Sequence, residues 1–284
     1  MIEFRDPRLA LKAHGLWAKK HFGQNFLVAP DVPSRIAHSG RAGADDTVFE
    51  IGPGVGTLTR ALADVSGRVV ALERDRDLVP VVKAETEEFG NVEIREGDVL
   101  DVDWPALCDE LKDERGQPPI IYGNLPYHLS TPIIVSLLEA HRSWRRCCFL
   151  LQKEFADRVA AKPGDKLCGS LSALAWMYAK PRRAFVVPAG AFHPKPKVTS
   201  AVLVMDAREA PPVDVGDERV FRTMVRALFN QRRKTARNAL KQVCADPGLA
   251  LEKAGLDARR RGETFTLEEL GALSQAVVAL REGA

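Results

Sequence analysis

Between Thr47 and Leu151, short apolar runs of strand length alternate with stretches of helical period, which leaves the chain very few architectures. Thr47–Ile51, Arg68–Glu73, Val92–Arg95, Ile120–Gly123 and Cys147–Leu151 read as buried strands. Leu58–Val65, Asp77–Glu88 and Ser130–Ala140 read as the helices between them. A helix between two strands carries the chain back across the sheet face, so successive strands run parallel. Phe185–Val187 and Val198–Met205 add two strands joined by a Pro-rich loop instead of a helix, which predicts an antiparallel strand at one edge. The expected fold is α/β: a Rossmann-like, mostly parallel sheet.

Ala207–Asp217 contains Pro211-Pro212 and three acids and reads as a linker. It divides the chain into an expected catalytic domain, 1–206, and a helical domain, 207–284. In the latter, Phe221, Met224, Val225, Leu228 and Phe229 follow helical spacing. Leu267, Leu270, Leu273, Val277 and Leu280 mark a last helix, with Thr266 and Glu269 as its capping box. The net charge of +3 lies entirely in 207–284, and Arg219–Lys241 holds eight Arg or Lys and no acid. A block of that kind suits a polyanionic partner or a solvated helix face.

No apolar run approaches the roughly 20 residues a membrane span needs, and Met1–Lys20 lacks the apolar core of a signal peptide. A soluble cytoplasmic protein is expected, with no membrane partner. The five cysteines have no C-x-x-C spacing and the histidines no ligand spacing, so neither a disulfide framework nor a metal is expected.

The strongest local signal is Val48-Phe49-Glu50-Ile51-Gly52-Pro53-Gly54-Val55-Gly56-Thr57-Leu58-Thr59, a strand entering a glycine-rich turn that opens a helix. Its spacing is G-x-G-x-G, and Thr57 stands where a dinucleotide fingerprint wants glycine, which disfavours NAD. Gly52 and Gly54 would let backbone approach a ligand closely. Glu50 before the turn suits a cationic ligand better than a pyrophosphate. Glu73, ending the next strand, can accept two hydrogen bonds from a ribose diol, and Asp98, after the third, can meet an adenine amino group. Acids at successive strand ends fit a ligand that carries a sulfonium and an ammonium but no phosphate.

The fourth strand runs into Gly123-Asn124-Leu125-Pro126-Tyr127. The exocyclic N6 of adenine is a poor nucleophile because its lone pair is delocalised into the ring. The Asn124 side-chain oxygen and the Leu125 carbonyl are candidate acceptors for its two N–H groups, favouring a pyramidal nitrogen. Pro126 stiffens the turn and Tyr127 offers a flat face for a base. Catalysis of this kind rests on positioning and electrostatics.

With these residues the chain resembles the small-subunit ribosomal RNA adenine N6,N6-dimethyltransferases of the KsgA/RsmA type over nearly its whole length. The resemblance is carried by Phe22-Gly23-Gln24-Asn25-Phe26-Leu27, the Glu50–Thr59 turn, and Asn124-Leu125-Pro126-Tyr127 with Ser130-Thr131-Pro132. It continues through Leu151–Arg158, Ala191–Val198, Phe229–Lys234 and Arg237-Asn238. It implies a class I methyltransferase fold with a helical C-terminal domain, and S-adenosylmethionine as cofactor. It implies dimethylation of two adjacent adenosines in a hairpin near the 3′ end of small-subunit rRNA, with a role in subunit biogenesis. It further implies that Asn25, Leu27, Gly52, Glu73, Asp98 and Asn124 line the cofactor site. Tyr127 and Phe192 would hold the target base between them, and Lys19–Leu27 would fold over the cofactor.

Two positions depart from the family pattern: His128 where Asn is frequent, and Tyr122 where a small aliphatic is usual. His193-Pro194-Lys195-Pro196 also resembles the large-subunit rRNA methyltransferases that confer macrolide resistance. On one continuous helix, Arg222, Arg226, Arg233, Arg237 and Lys241 would form a basic stripe flanked by Arg232 and Lys234, suited to phosphates, with Lys195 and Lys197 extending the surface. The expected partner is small-subunit rRNA or a pre-ribosomal particle, and the expected state a monomer. The alternatives are a large-subunit rRNA methyltransferase of the resistance type and a non-catalytic ribosome-assembly or RNA-binding factor.

Overall fold

The computed structural model describes residues 3–19, 22–231 and 233–282. The first elements are α1 (Pro7–Ala13), β1 (Phe26–Leu27), α2 (Val32–Ser39), β2 (Thr47–Ile51), α3 (Thr57–Ala63), β3 (Arg68–Glu73), α4 (Val79–Thr86), β4 (Val92–Glu96), α5 (Trp104–Glu110) and β5 (Ile120–Asn124). They continue with α6 (Ser130–Glu139), β6 (Arg146–Gln152), α7 (Lys153–Ala160), α8 (Ser170–Tyr178), β7 (Ala179–Val187), β8 (Phe192–His193) and β9 (Ser200–Ala207). Helices α9 (Glu218–Asn230), α10 (Ala236–Ala239), α11 (Pro247–Lys253) and α12 (Leu267–Glu282) close the chain. Among the described residues no helix is long and apolar enough to cross a membrane. All five cysteines are free and buried.

Seven strands form one sheet in the order β4-β3-β2-β5-β6-β9-β7. Strands β2 to β6 pair in parallel. β9 returns antiparallel along β6, from Arg146 opposite Asp206 to Gln152 opposite Ser200, and β7 lies outside it. The fold is the mostly parallel α/β sheet expected. The five parallel strands begin and end within one residue of their sequence-based bounds; β2, β5 and β6 do so because strands covered on both faces need unbroken apolar runs, and the edge strand β4, with no buried residue, by its alternation. All of β2 is buried, as are Ile120, Ile121 and Tyr122 of β5. β7 starts six residues earlier than its apolar run suggests. Its first half alternates buried Ala179 and Pro181 with exposed Lys180 and Arg182, a half-exposed pattern that an apolar run does not mark.

The order places consecutive strands β2, β3 and β4 to one side and β5 and β6 to the other. The chain therefore switches direction between the neighbours β2 and β5, and helices leaving their C-terminal ends diverge to leave a crevice. Both sequence motifs, the glycine turn and Asn124–Tyr127, lie at that crevice.

Tyr122, unusual in sequence, has a specific place. Its ring is fully buried, and its hydroxyl donates to the Ala37 carbonyl of α2 at 2.8 Å. Gly40, at the C-cap of α2, makes room: a Cβ there would lie 2.0 Å from the Tyr122 oxygen.

The chain divides into two compact units, Met1–Ala156 with Arg182–Ala207, and Asp157–Pro181 with Arg208–Ala284. The chain crosses between the units three times, once at 207/208 beside the expected boundary and twice around Asp157–Pro181, a segment inside the expected first domain. Its helix α8 buries Leu174, Met177 and Tyr178 within the second unit, where the Tyr178 hydroxyl meets Arg222 of α9 at 3.4 Å. In the same unit α9 is capped by Asp217, which accepts the N–H groups of Arg219 and Val220, and it buries the five apolar residues its period marks. Thr266 and Glu269 form the reciprocal cap of α12: the Thr266 N–H donates to the Glu269 carboxylate at 2.8 Å, and the Glu269 N–H to the Thr266 hydroxyl at 3.3 Å.

Replacing Tyr122 by Phe keeps the ring but leaves the buried Ala37 carbonyl without this donor. Urea unfolding is expected to show a loss of about 1–3 kcal/mol, with the denaturant slope unchanged.

Candidate active site

The crevice holds a cleft enclosing about 1080 Å³ of empty space, its open mouth included. Its floor is the strand ends: Glu50, Ile51 and the glycine turn after β2, Leu72 and Glu73 of β3, Gly97 and Asp98 after β4, and Asn124–Leu129 after β5. Phe22–Leu27 forms the cover.

The turn is built from sequence. Gly52, Gly54 and Gly56 have φ of 67°, 62° and 83°, a left-handed conformation that side chains resist. The Gly54 N–H donates to Glu73 Oε2 at 2.9 Å, and the Asp75 N–H to Glu73 Oε1 at 2.8 Å, so two backbone donors hold this nearly buried carboxylate at the wall. Burial raises its pKa against those two hydrogen bonds. Glu50 is 1% exposed, and its Oε2 has no hydrogen-bond partner. Burial, with the charge of Glu73 added, pushes its pKa up to about 8. An orphaned buried carboxyl on a cleft wall is costly unless a ligand completes it. A cation is the ligand that would favour its ionised form.

Asp98 also lines the cleft, but both its oxygens have partners: Oδ1 accepts the Leu100 N–H at 3.0 Å, and Oδ2 pairs with Arg74 Nε at 3.1 Å. Each carboxylate oxygen accepts more than one hydrogen bond, so room for an amino group remains. Arg74 is the one Lys or Arg among the described wall residues, and it is already paired. The donor set therefore fits a positively charged nucleoside such as S-adenosylmethionine and not a pyrophosphate.

Asn124 ends β5. Its side-chain Nδ2 donates to the Asn25 carbonyl at 2.8 Å, while the Asn25 side chain donates to the Gly23 carbonyl at 2.9 Å. The amide nitrogen is thus committed to the cover, which leaves Oδ1 as the acceptor end. The Leu125 N–H donates to the Leu150 carbonyl at 3.2 Å, fixing the next peptide. Gly123 allows this close arrangement: a Cβ there would lie 2.8 Å from Leu125 Cδ2 and 3.0 Å from the Ile51 carbonyl oxygen. Tyr127 is half-buried, and its hydroxyl and that of Ser200 are hydrogen-bonded at 3.0 Å.

Of the cofactor residues expected, Asn25, Leu27, Glu50, Gly52, Gly54, Glu73, Asp98 and Asn124 all reach this one cleft, together with Leu125, Pro126 and Tyr127. Phe192 does not reach the described wall. It pairs with Leu27 across β1 and β8, is 4% exposed and lies in the apolar core, because its strand partner and core neighbours claim the ring.

Sequence reasoning missed the cover's anchor. Lys19 Nζ contacts Asp75 and Asp77 at 2.6 Å each, the Gln24 side chain donates to Asp75 at 2.8 Å, and the Lys19 N–H donates to Gln24 Oε1 at 2.8 Å. Lys19 and Gln24 together hold Asp75 ionised, its pKa lowered against the effect of burial. The conspicuous Phe22–Leu27 block was the one available signal. Phe22 and His128, noted in the sequence without a role in the site, also stand on the wall.

The basic stripe is not continuous. α9 ends at Asn230, and Gln231 turns out of helix at φ −115°, ψ 46°, so Arg237 of α10 and Lys241 lie on separate pieces. Arg226, Arg233, Lys234 and Arg237 are exposed, as are Lys195 and Lys197 in the first unit. Arg222 is half-buried and pairs with Glu218 at 3.3 Å, so its charge is partly committed within the fold. Arg232 lies outside the described residues.

Residues 15–263 match the ribosomal RNA adenine dimethylase family. The chain is 45% identical over 274 residues to the ribosomal RNA small subunit methyltransferase A of Magnetococcus marinus, covering 96% of this chain and 97% of that one. It is 43% identical to the protein of the same name from Geobacter metallireducens, covering 95% and 99%. Among solved structures, a dimethyladenosine transferase from Plasmodium falciparum superposes with a TM-score of 0.73 at 23% identity, covering 87% and 95%. The 23S rRNA methyltransferase ErmE superposes with 0.68 at 24%, covering 89% and 100%. These two likenesses bear on the fold.

The raised carboxyls carry a pH signature. The unfolded chain releases the Glu50 proton near pH 4.3, whereas the ligand-free folded chain keeps it to about 8. Between those values the folded state binds more protons, so stability is expected to fall as pH rises from about 5 to 8. In Glu50→Gln that slope should flatten, as read by urea unfolding at a series of pH values. An unchanged slope would mean that Glu50 ionises within the fold.

Proposed function

The chain belongs to the ribosomal RNA adenine dimethylase family, and from that premise we propose that it transfers methyl groups from S-adenosylmethionine to N6 of two adjacent adenosines in a hairpin near the 3′ end of small-subunit rRNA. The product is N6,N6-dimethyladenosine. The observation that carries the chemistry is the Asn124 amide, tied through its nitrogen and presenting its oxygen at a cleft walled by acids. The small-subunit substrate is favoured over the large-subunit one by relatives that match at 41–45% identity across nearly the whole chain. We place the protein in the cytoplasm, acting as a monomer on a pre-ribosomal particle.

When bound, the cofactor supplies an electrophilic methyl group. Glu73 would hold its ribose hydroxyls, Asp98 its adenine, and Glu50 would face its positive end, with Asn25 and Leu27 covering it. Asn124 Oδ1 and the Leu125 carbonyl would accept the two N6 hydrogens of the target adenine. That geometry withdraws the lone pair from the ring and aims it along the transfer direction, a positioning and electrostatic effect. Tyr127 supplies the stacking face, and the Ser200 hydrogen bond holds its ring in place. No strong base is required, because the N6 proton becomes acidic once the nitrogen carries the new methyl group, and it passes to solvent. Phe192 could join Tyr127 only after moving out of its packed position. Arg226, Arg233, Lys234, Arg237, Lys195 and Lys197, with Arg232 and the partly committed Arg222, would contact phosphates.

The test is methyl transfer from labelled S-adenosylmethionine to purified small-subunit particles lacking adenine dimethylation, with unmodified large-subunit rRNA in parallel and nucleoside analysis of the product. Dimethyladenosine from the small-subunit particles alone is expected, and label in large-subunit rRNA instead would overturn the substrate. Asn124→Ala should lower the transfer rate about 100- to 1000-fold while particle binding persists. An equal loss of binding would make the residue structural.

A further inference from the structure

A second cleft lies beside the cover, lined by Arg8 and Lys12 of α1, by Leu11 and Leu16, by Trp17, and by His193 of β8. Its most conspicuous group is the Trp17 indole, 77% exposed. Its π face is open to stacking by a flat ligand. Among the described residues neither the Trp17 ring nitrogen nor the Lys12 ammonium has a partner. The floor is firm: Leu11 packs in one apolar cluster with Phe26, Val55 and Val81, and Leu16 packs against it, so the cleft rests on the residues that shape the glycine turn.

Two features specify the occupant. The first is charge: the described lining residues include Arg8 and Lys12 and no acid; Asp6 pairs with the Arg8 guanidinium at 2.5 Å, so the unpaired charge is that of Lys12. An exposed indole face beside an unpaired ammonium is a composition that binds single-stranded nucleic acid, stacking a base and neutralising its phosphate. The second is continuity. Phe26, on the wall of the catalytic cleft, stands directly opposite His193 in the β1–β8 pair, about 5 Å away by antiparallel geometry. The two clefts flank one narrow ribbon, and Lys195 and Lys197 follow it, both exposed.

We propose that this second cleft is a nucleotide subsite, in which Trp17 stacks a base of the RNA flanking the target adenosine while Lys12 faces its phosphate, with the Asp6-paired Arg8 and the His193 ring beside it. The proposal rests on the RNA substrate argued above and adds a contact beyond the target base. It makes Trp17 a substrate-binding residue outside the reacting centre, so its loss weakens RNA binding and leaves the cofactor pocket intact.

The experiment uses the full chain and small-subunit particles lacking adenine dimethylation. Trp17→Ala should raise the KM for particles about tenfold, the range of one base–aromatic stack. Trp17→Phe should recover most of the loss, and Trp17→Leu, apolar without a π face, should not. Lys12→Ala should reduce the salt slope of particle binding by about one counterion. Iodide quenching reads the site directly, since Trp104 and Trp144 are buried and Trp176 half-buried, and particles should shield the exposed indole. An unchanged KM in Trp17→Ala, or a Leu variant as good as Phe, would overturn the subsite while leaving the methylation reading in place. Wild-type protein that neither binds nor methylates the particles would overturn both.

Discussion

The hydrogen bond from the Asn124 side chain to the Asn25 carbonyl joins three parts of the molecule at one point. It ends β5, fixes the cover, and decides which end of an amide faces the cleft. A primary amide offers two donors and one acceptor atom, and without a partner it could present either end. Committing the nitrogen to the cover leaves the oxygen for the substrate. The close approach of β5 to β2 through Gly123 then places that oxygen beside the glycine turn. The sheet order matters for the same reason: only at the switch between β2 and β5 do two neighbouring strands send their chains to opposite sides.

Much of this was legible in the sequence, and the reason is physical. Strands buried on both faces must be apolar throughout, so β2, β5 and β6 announced themselves, while edge strand β4 was marked instead by its alternation of Val92 and Ile94 with charged residues. Acids at the ends of successive parallel strands must converge on one crevice, so Glu50, Glu73 and Asp98 could be grouped before their distances were known. Contacts between distant segments were not legible. Lys19, Gln24 and Asp75 share no period or spacing, and only the folded chain brings them within hydrogen-bond reach. Phe192 shows the converse: a motif residue that the resemblance sets against the target base is held in the core by its cross-strand neighbour Leu27. The basic stripe failed because spacing assumes a continuous helix, and the turn after Asn230 breaks it.

The charge is distributed by task. The cleft that would take the cofactor is walled by carboxyls, its one described arginine already paired, whereas the exposed Lys195 and Lys197 of the first unit and Arg233, Lys234 and Arg237 of the second are not among its walls. A pocket walled by carboxyls disfavours polyphosphate, and the exposed cations would serve the RNA backbone in the function proposed. In the function proposed, substitutions at the cleft would act on chemistry and those on the basic surfaces on affinity and its dependence on salt.

The fit between Gly40 and Tyr122 bears on how this lineage can change. With tyrosine in place, even a methyl group at position 40 would collide with the hydroxyl, so position 40 is locked to glycine. If position 122 first becomes a small aliphatic residue, the space under the end of α2 opens and position 40 is released. The two sites are therefore epistatic, and the permitted mutational path has a direction: Tyr122 must be lost before Gly40 can drift, and Gly40 must be restored before tyrosine can return.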